Sequence, residues 1–260
     1  MKTVVITGGT SGIGLLTTNI LRAKGNKVIV LANTKGEEEA DFLFCDVANE
    51  ENIKNCFNEI KQKYQKIDVL INNAGYGLNG ALELLDSAKI KKQFDVNVFG
   101  LINCTKYALP LMSKGGRIIN IASAMALFPV PYRSMYGASK AAVLSLSMAQ
   151  RMELSNCGID VCAVCPGNIK TNFTKNKEVV IDTNERYGDA IKKAQEKMDS
   201  PKKEAKRMKP EIVANKLVKL CFAKKTKPMI IIGKNIHLLY FVNRFVSKNL
   251  ILKATAKVCG

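Results

Sequence analysis

Three glycines, Gly8, Gly12 and Gly14, stand between an apolar run of strand length, Thr3 to Thr7, and a stretch of helical period running from Gly14 to Lys24. The spacing G-x-x-x-G-x-G is demanding. Glycine allows a tight turn and a close backbone approach, and the N-terminus of the following helix offers free amides and the positive end of a dipole. A turn built this way can take a pyrophosphate. The same glycines can also serve a tight strand-to-helix turn with no ligand, so their meaning depends on the pattern of the remaining chain.

That pattern is regular. Strand-length apolar runs recur at Lys27 to Ala32, Asp41 to Cys45, Val69 to Asn72, Arg117 to Ala122, Asp160 to Cys165 and Met229 to Ile232. Helix-period stretches separate them at Glu50 to Lys63, Ser87 to Ser113, Met135 to Cys157 and Pro210 to Ala223. This alternation predicts an α/β fold, a Rossmann-type doubly wound parallel sheet of seven strands with helices on both faces. Runs such as VIVLA and RIINIA are apolar on successive residues, as expected of strands covered on both sides. The connection Asn33 to Ala40 is too short for a full helix. The polar span Asn168 to Lys209 reads as a lid with loops and one or two helices, within one domain covering residues 1 to 260.

The chain carries 40 basic and 22 acidic residues, and the excess is uneven: Pro201 to Gly260 holds 15 basic residues against two acidic ones. Such a tail suits an anionic membrane surface, nucleic acid, an acidic partner or plain solvation. Within it, Asn235 to Leu252 places Leu238, Leu239, Phe241, Val242, Phe245, Val246 and Leu250 on one face of a helix opposite Asn243, Arg244, Ser247 and Lys248. That face either packs on the body of the protein or makes a peripheral membrane contact; the basic amphipathic segment runs over residues 235 to 260. No apolar run approaches the ~20 residues that span a bilayer, and the N-terminal run is too short for a signal peptide. The expectation is a cytoplasmic protein, associated with the inner membrane surface at most. Eight cysteines in strand-like and helix-like segments, with a single histidine, point to reduced thiols and no metal site.

The segment TGGTSGIG resembles the cofactor fingerprint of the short-chain dehydrogenase/reductase family. Further motifs come in that family's order: Cys45-Asp46-Val47, Asn72-Asn73-Ala74-Gly75, Asn97, Ser123, Tyr136-Gly-Ala-Ser-Lys140 and Pro166-Gly167 with Thr171. The resemblance implies a nicotinamide cofactor held by Thr7, Gly8, Thr10, Ser11, Gly12, Ile13 and Gly14 at its phosphates. It further implies Asp46 and Val47 at the adenine, Asn73, Ala74 and Gly75 beside the adenosine ribose, and Pro166, Gly167, Ile169 and Thr171 around the nicotinamide. It makes Asn97, Ser123, Tyr136 and Lys140 the catalytic set. Tyrosine is a poor proton donor and acceptor at neutral pH, and a lysine four residues on along a helix can lower its pKa. Each residue also has a plainer reading: Asp46 as a cap or turn residue, Ser123 as a cap, Asn97 as an asparagine bonding a neighbouring helix.

An acidic residue at the end of the second strand selects NAD(H). Ala32 stands there, with Asn33 and Lys35 just beyond it as candidate cofactor contacts, which favours NADP(H) over NAD(H). Apolar residues in AMALFPVPYRSM suit a lipophilic small-molecule substrate, and NNAGYGLNGALELL resembles the hydroxysteroid and retinol dehydrogenase members, implying an alcohol or ketone that is steroid-like. A ketoacyl thioester reductase is the enzymatic alternative, and a non-catalytic dinucleotide sensor the other. The family resemblance also implies a homo-oligomer, a dimer or tetramer.

Overall fold

The computed structural model describes residues 1–36, 41–171 and 177–259. The chain forms β1 (Thr3–Thr7), α1 (Gly12–Ala23), β2 (Lys27–Ala32), β3 (Phe42–Phe44), α2 (Glu50–Tyr64), β4 (Val69–Asn72) and the short β5 (Leu78–Asn79). It continues through α3 (Ser87–Phe94), α4 (Gly100–Ala108), β6 (Arg117–Ile121), α5 (Ser134–Glu153), β7 (Asp160–Pro166) and β8 (Glu178–Val179). The last elements are α6 (Ala190–Asp199), α7 (Pro201–Glu204), α8 (Pro210–Phe222), β9 (Met229–Ile232), α9 (Lys234–Val242) and α10 (Lys248–Cys259).

Seven strands form one parallel sheet in the order β3-β2-β1-β4-β6-β7-β9. The chain winds outward from β1 through β2 to β3 and then returns to build the other half from β4. The strand order therefore reverses between β1 and β4, and a crevice opens beyond their carboxyl ends, where ligands of such sheets bind.

The unbroken apolar runs are explained by packing on both faces. Val4, Ile6, Val28, Val30, Val69 and Ile71 point into a core with Leu21 of α1 and Val213 and Leu217 of α8. Their neighbours Val5, Ile29, Leu31 and Leu70 point the other way, against Ile53, Phe57 and Ile60 of α2 and Cys104 of α4. Alternation with period two thus feeds two cores at once. Cys162 and Cys165, three apart on β7, fall into different cores and form no pair.

Two expectations need correction, and a third is met as far as the chain is described. The helix foreseen from Ser87 to Ser113 is interrupted by a π-helical turn at Asp95–Phe99 and stops at Ala108, where Pro110 lies in a 3₁₀ turn. Proline has no amide to continue the ladder. The tail helix foreseen over Asn235 to Leu252 is two helices, α9 and α10; Ser247 Oγ accepts from the Leu250 amide at 3.4 Å and starts the second. The connection after β2 contains no helix over residues 33–36, and the remainder of that expectation, at residues 37–40, lies outside the described residues.

Among the described residues, no helix is long and apolar enough to cross a membrane.

Candidate active site

The phosphate loop forms where β1 meets α1. Gly12 adopts φ +52°, a left-handed conformation that side chains disfavour, and a Cβ at Gly14 would come within 2.1 Å of the Gly8 carbonyl oxygen. Ser11 caps α1 with extended backbone but makes no side-chain capping bond, and the first turn has no acidic residue. The helix-initial amides are therefore left to a ligand, and the site fits an anionic dinucleotide phosphate. Thr171 closes over this loop, its Cβ 3.7 Å from where a Gly12 side chain would start.

Thr7 and Asn73 tie the ends of β1 and β4 together. Thr7 Oγ1 accepts from the amides of Asn73 and Ala74 at 3.0 and 2.9 Å, and Asn73 Nδ2 donates to the carbonyls of Thr7 and Gly8 at 3.0 Å each. Thr7 is buried and holds the loop from beneath, whereas Asn73, Ala74 and Gly75 line the cleft with Gly8, Ser11, Gly12 and Ile13. Gly14 lies behind them, packed on Gly8. Across the cleft, Pro166, Gly167, Ile169 and Thr171, from the end of β7 onward, form the opposite wall.

At the end of β2, Ala32 is buried, and Asn33 and Thr34 line the cleft. Thr10 and Thr34 hydroxyls are 3.4 Å apart at its rim, while Lys35 is exposed and outside the lining. Asp46 and Val47 also lie outside it. Asp46 is a turn residue: its Oδ1 accepts from the Ala48 amide at 3.0 Å, and the cap of α2 is Asn49. Val47 packs under Gly100, whose Cβ would meet its carbonyl at 2.6 Å.

The floor of the cleft is made by the end of β6 and the first turns of α5. Ser123 Oγ accepts from the Met125 amide at 3.1 Å, so it is a cap, and it lines the cleft with Tyr136, whose proton its hydroxyl makes easier to lose. The capping reading of Ser123 is thus met. One turn on from Tyr136, Lys140 is buried, its Nζ donating to the Ile121 carbonyl at 2.8 Å and standing 5.9 Å from the Tyr136 ring centre. Burial pulls the Lys140 ammonium down to about 8. Tyr136 is half-buried as a residue, yet its hydroxyl sits deep in the cleft, and burial pushes it up to about 12 against the opposing effects of Ser123 and the Arg133 charge. This corrects the expectation that Lys140 draws the tyrosine down: Lys140 is engaged with the Ile121 carbonyl, and in this arrangement Tyr136 keeps its proton.

Asn97 lies in the π-helical turn, away from the cleft lining. Its Oδ1 accepts from the Tyr76 amide at 3.0 Å, and its Nδ2 donates to the Tyr76 carbonyl at 3.0 Å and to Ser139 Oγ at 3.1 Å. It bonds the neighbouring helix α5, in agreement with its plainer reading, and fixes the strand-end segment above Lys140. A π turn widens the helix by one residue, which is how such a turn re-aims a side chain near a site.

The cleft has a volume of about 410 Å³. Sequence reasoning did not single out several of its residues: Tyr76, Asn79, Lys177, Met198 and Arg207 all line it. Of the stretch between Ser123 and Tyr136, Met125 and Arg133 reach the cleft, but Phe128 is buried and Leu127 packs into the core around Val143. The apolar character of that stretch therefore serves mainly packing. Among the described residues that line the cleft, none is an aspartate or glutamate.

A dinucleotide crevice with a tyrosine, serine and lysine on its floor defines a nicotinamide-dependent oxidoreductase. The family model described as short chain dehydrogenase matches residues 2–180, and the chain belongs to that family. It is 37% identical over 194 residues to a 3-ketodihydrosphingosine reductase of Bacteroides thetaiotaomicron, covering 72% of each chain. It is 32% identical over 198 residues to a 3beta-hydroxysteroid dehydrogenase of Mediterraneibacter gnavus, covering 70% of this chain and 71% of the other. A short-chain dehydrogenase structure from Streptomyces avermitilis superposes with a TM-score of 0.82 at 24% identity, over 97% of this chain and 95% of that one, and shares the fold.

Proposed function

We propose that the protein is an NADP(H)-preferring oxidoreductase that interconverts a secondary alcohol and a ketone on a bulky lipophilic, steroid-like substrate. The observation that carries this reading is that Tyr136, Ser123 and buried Lys140, one helical turn on from the tyrosine, line one cleft together with the phosphate loop. The nicotinamide cofactor, when bound, supplies or takes up the hydride. Its phosphates would lie on the amides at the start of α1, and its nicotinamide end between Gly75 and the Pro166 to Thr171 wall.

The chain's own residues handle the oxygen. Tyr136, protonated at neutral pH in this cleft, donates a proton to a ketone oxygen, and Ser123 offers a second hydroxyl that steadies the developing negative charge. Lys140 stands within the same buried space, its Nζ held by the Ile121 carbonyl 5.9 Å from the Tyr136 ring centre. Asn97 positions Tyr76 and α5 around them.

NADP(H) preference is supported by buried Ala32 at the end of β2 and by the absence of a carboxylate among the described lining residues, so that nothing there repels a 2′-phosphate. The steroid-like substrate is supported by apolar Ile121, Met125 and Met198 in the lining and by the relative named 3beta-hydroxysteroid dehydrogenase. A ketoacyl thioester reductase is the second reading, favoured by the cations Arg133, Lys177 and Arg207 at the same cleft.

The experiment is cofactor oxidation by the purified protein with NADPH and NADH across steroid ketones, retinal, small ketones and acyl thioesters. The first reading expects turnover of steroid ketones with NADPH. Turnover confined to acyl thioesters establishes the second, and absence of any turnover with intact cofactor binding sinks both.

A further inference from the structure

One end of the cleft is strongly cationic. Lys177 precedes β8, and its Nζ lies 3.0 and 3.1 Å from the two carboxylate oxygens of Asp199 at the end of α6. Arg207 Nη2 lies 3.0 Å from the same carboxylate. The two cations are nearly buried, with side-chain exposures of 11% and 12%, while Asp199 is 43% exposed. Arg133 joins them from the turn before α5: it lines the same cleft and its charge acts on both Lys177 and Tyr136. Two nearly buried cations therefore share one carboxylate, at a cleft that Arg133 also lines.

Burying charge without an equal opposite charge is costly. Burial and the two arginines hold Lys177 below the ordinary lysine value, against the pull of Asp199. The backbone also bears a cost here: Tyr132, immediately before Arg133, adopts φ +59°, which a bulky side chain rarely does. Strain of this kind persists where the surroundings fix it, and it concentrates at binding sites. A clamp that merely fastened Lys177 to α6 would need one cation for one carboxylate. It would not need a second nearly buried cation on that carboxylate, at the lining of the cleft that holds Tyr136.

We propose that Arg133, Lys177 and Arg207 form an anion subsite of the cleft, which binds a carboxylate or phosphate carried by the ketone or alcohol substrate. The substrate is then amphiphilic, with its oxidisable carbon at Tyr136 and Ser123, apolar body against Met125 and Met198, and anionic group at the cationic end. This deepens the oxidoreductase reading and rests on it for the position of the reacting carbon.

Binding to the protein saturated with cofactor tests this without requiring turnover. Two matched pairs serve as probes in calorimetric titration: 10-oxooctadecanoic acid with its methyl ester, and acetoacetyl-coenzyme A with the uncharged N-acetylcysteamine thioester. The expected result is at least a tenfold preference for the charged member of one pair, and the pair that shows it tells carboxylate from phosphate. Lys177→Met with Arg207→Gln should erase the preference while NADPH affinity, read by its fluorescence, stays within twofold. Asp199→Asn gives the sharper discrimination: releasing the cations should strengthen the preference, whereas a purely structural clamp would lose order and weaken binding of both members alike. Equal affinity for charged and uncharged members in the unaltered protein, no binding of either charged probe, or a preference that survives the double substitution overturns the subsite. Failure of the oxidoreductase reading shows separately, as an absence of cofactor oxidation with binding intact.

Discussion

The segments up to α5 and those from Pro166 onward make the two walls of one cleft by different means. The first wall is built from strand ends and helix starts that meet in fixed register: β1 and β4 are fastened by Thr7 and Asn73, and β6 delivers Ser123 beside α5. The second is built from short elements tied at separate points: at the base the Lys170 amide donates to the Met208 carbonyl and the Met208 amide to the Asn168 carbonyl, and further out the Glu178 and Val180 amides donate to the carbonyls of Gly77 and Asn79, each at 2.9 Å. Above that base sit a two-residue strand, β8, and the helices α6 and α7. Chemistry common to a family lies on the rigid wall. The family model's match, residues 2–180, covers that wall and reaches only the start of the other, the one that carries Lys177 and Arg207.

The largest effect is expected on the rigid wall. Gly14→Ala places a Cβ against the Gly8 carbonyl, where backbone must move, and should weaken cofactor binding about 100-fold, ~3 kcal/mol. Fluorescence titration with NADPH checks it; unchanged affinity would mean that the loop yields far more easily than this packing allows.

Lys140 gives the next largest effect, and its sign comes from burial. Its pKa in the folded protein, about 8, lies below the ordinary lysine value of 10.5, so between those values the unfolded chain binds more protons than the folded one. Stability of the cofactor-free protein should therefore rise as pH climbs from about 8 towards 10.5, by roughly 3 kcal/mol relative to Lys140→Met. Urea unfolding of both proteins across that range measures it. Parallel pH profiles would show that Lys140 is not charged at a cost in the fold.

Cofactor choice comes third. NADPH should bind about tenfold more tightly than NADH, and Ala32→Asp should reverse the order. Equal or better NADH affinity in the unaltered protein would overturn the reading of the β2 end.

The smallest effect belongs to the tail. Ile236 packs beneath Gly167 and Tyr240 against the core around Val143, but Leu238, Phe241 and Phe245 face outward beside Arg244 and Lys248. Packing thus takes one side of α9 and leaves a basic, apolar side uncovered in this chain. The protein should sediment with phosphatidylserine vesicles several-fold more at low salt than in about 0.5 M salt, by about 1 kcal/mol per nearby cation. Phe241→Ser with Phe245→Ser should remove the effect; no sedimentation at low salt contradicts it.

The same division explains which features were legible in the sequence. The seven strands of the main sheet were legible because each is apolar on both faces, a pattern that α8 and α2 then cover. Tyr136, Lys140 and Ser123 were legible because local spacing on one helix and one strand end brings them together. Arg133, Lys177 and Arg207 were not, since they come from three segments whose meeting depends on the Ile169 and Met208 bridge and on the α6 position. For Lys177 and Arg207 the signal in the sequence was only the polar, charged span after Asn168, and for Arg133 only its place between Ser123 and Tyr136. The break between α9 and α10 was hidden for a related reason: an apolar helical period runs straight through Asn243 to Ser247, and only the Ser247 cap marks the new start.

The central claim is that Tyr136 moves the proton on a cleft floor that Ser123 and Lys140 complete. Tyr136→Phe keeps the ring and removes the hydroxyl, so the measurement is kcat for ketone reduction beside the Kd for NADPH, on the substrate that the cofactor-oxidation panel selects. The account predicts a fall in kcat of about 10³-fold with Kd unchanged within about twofold. Near wild-type kcat in Tyr136→Phe would contradict it.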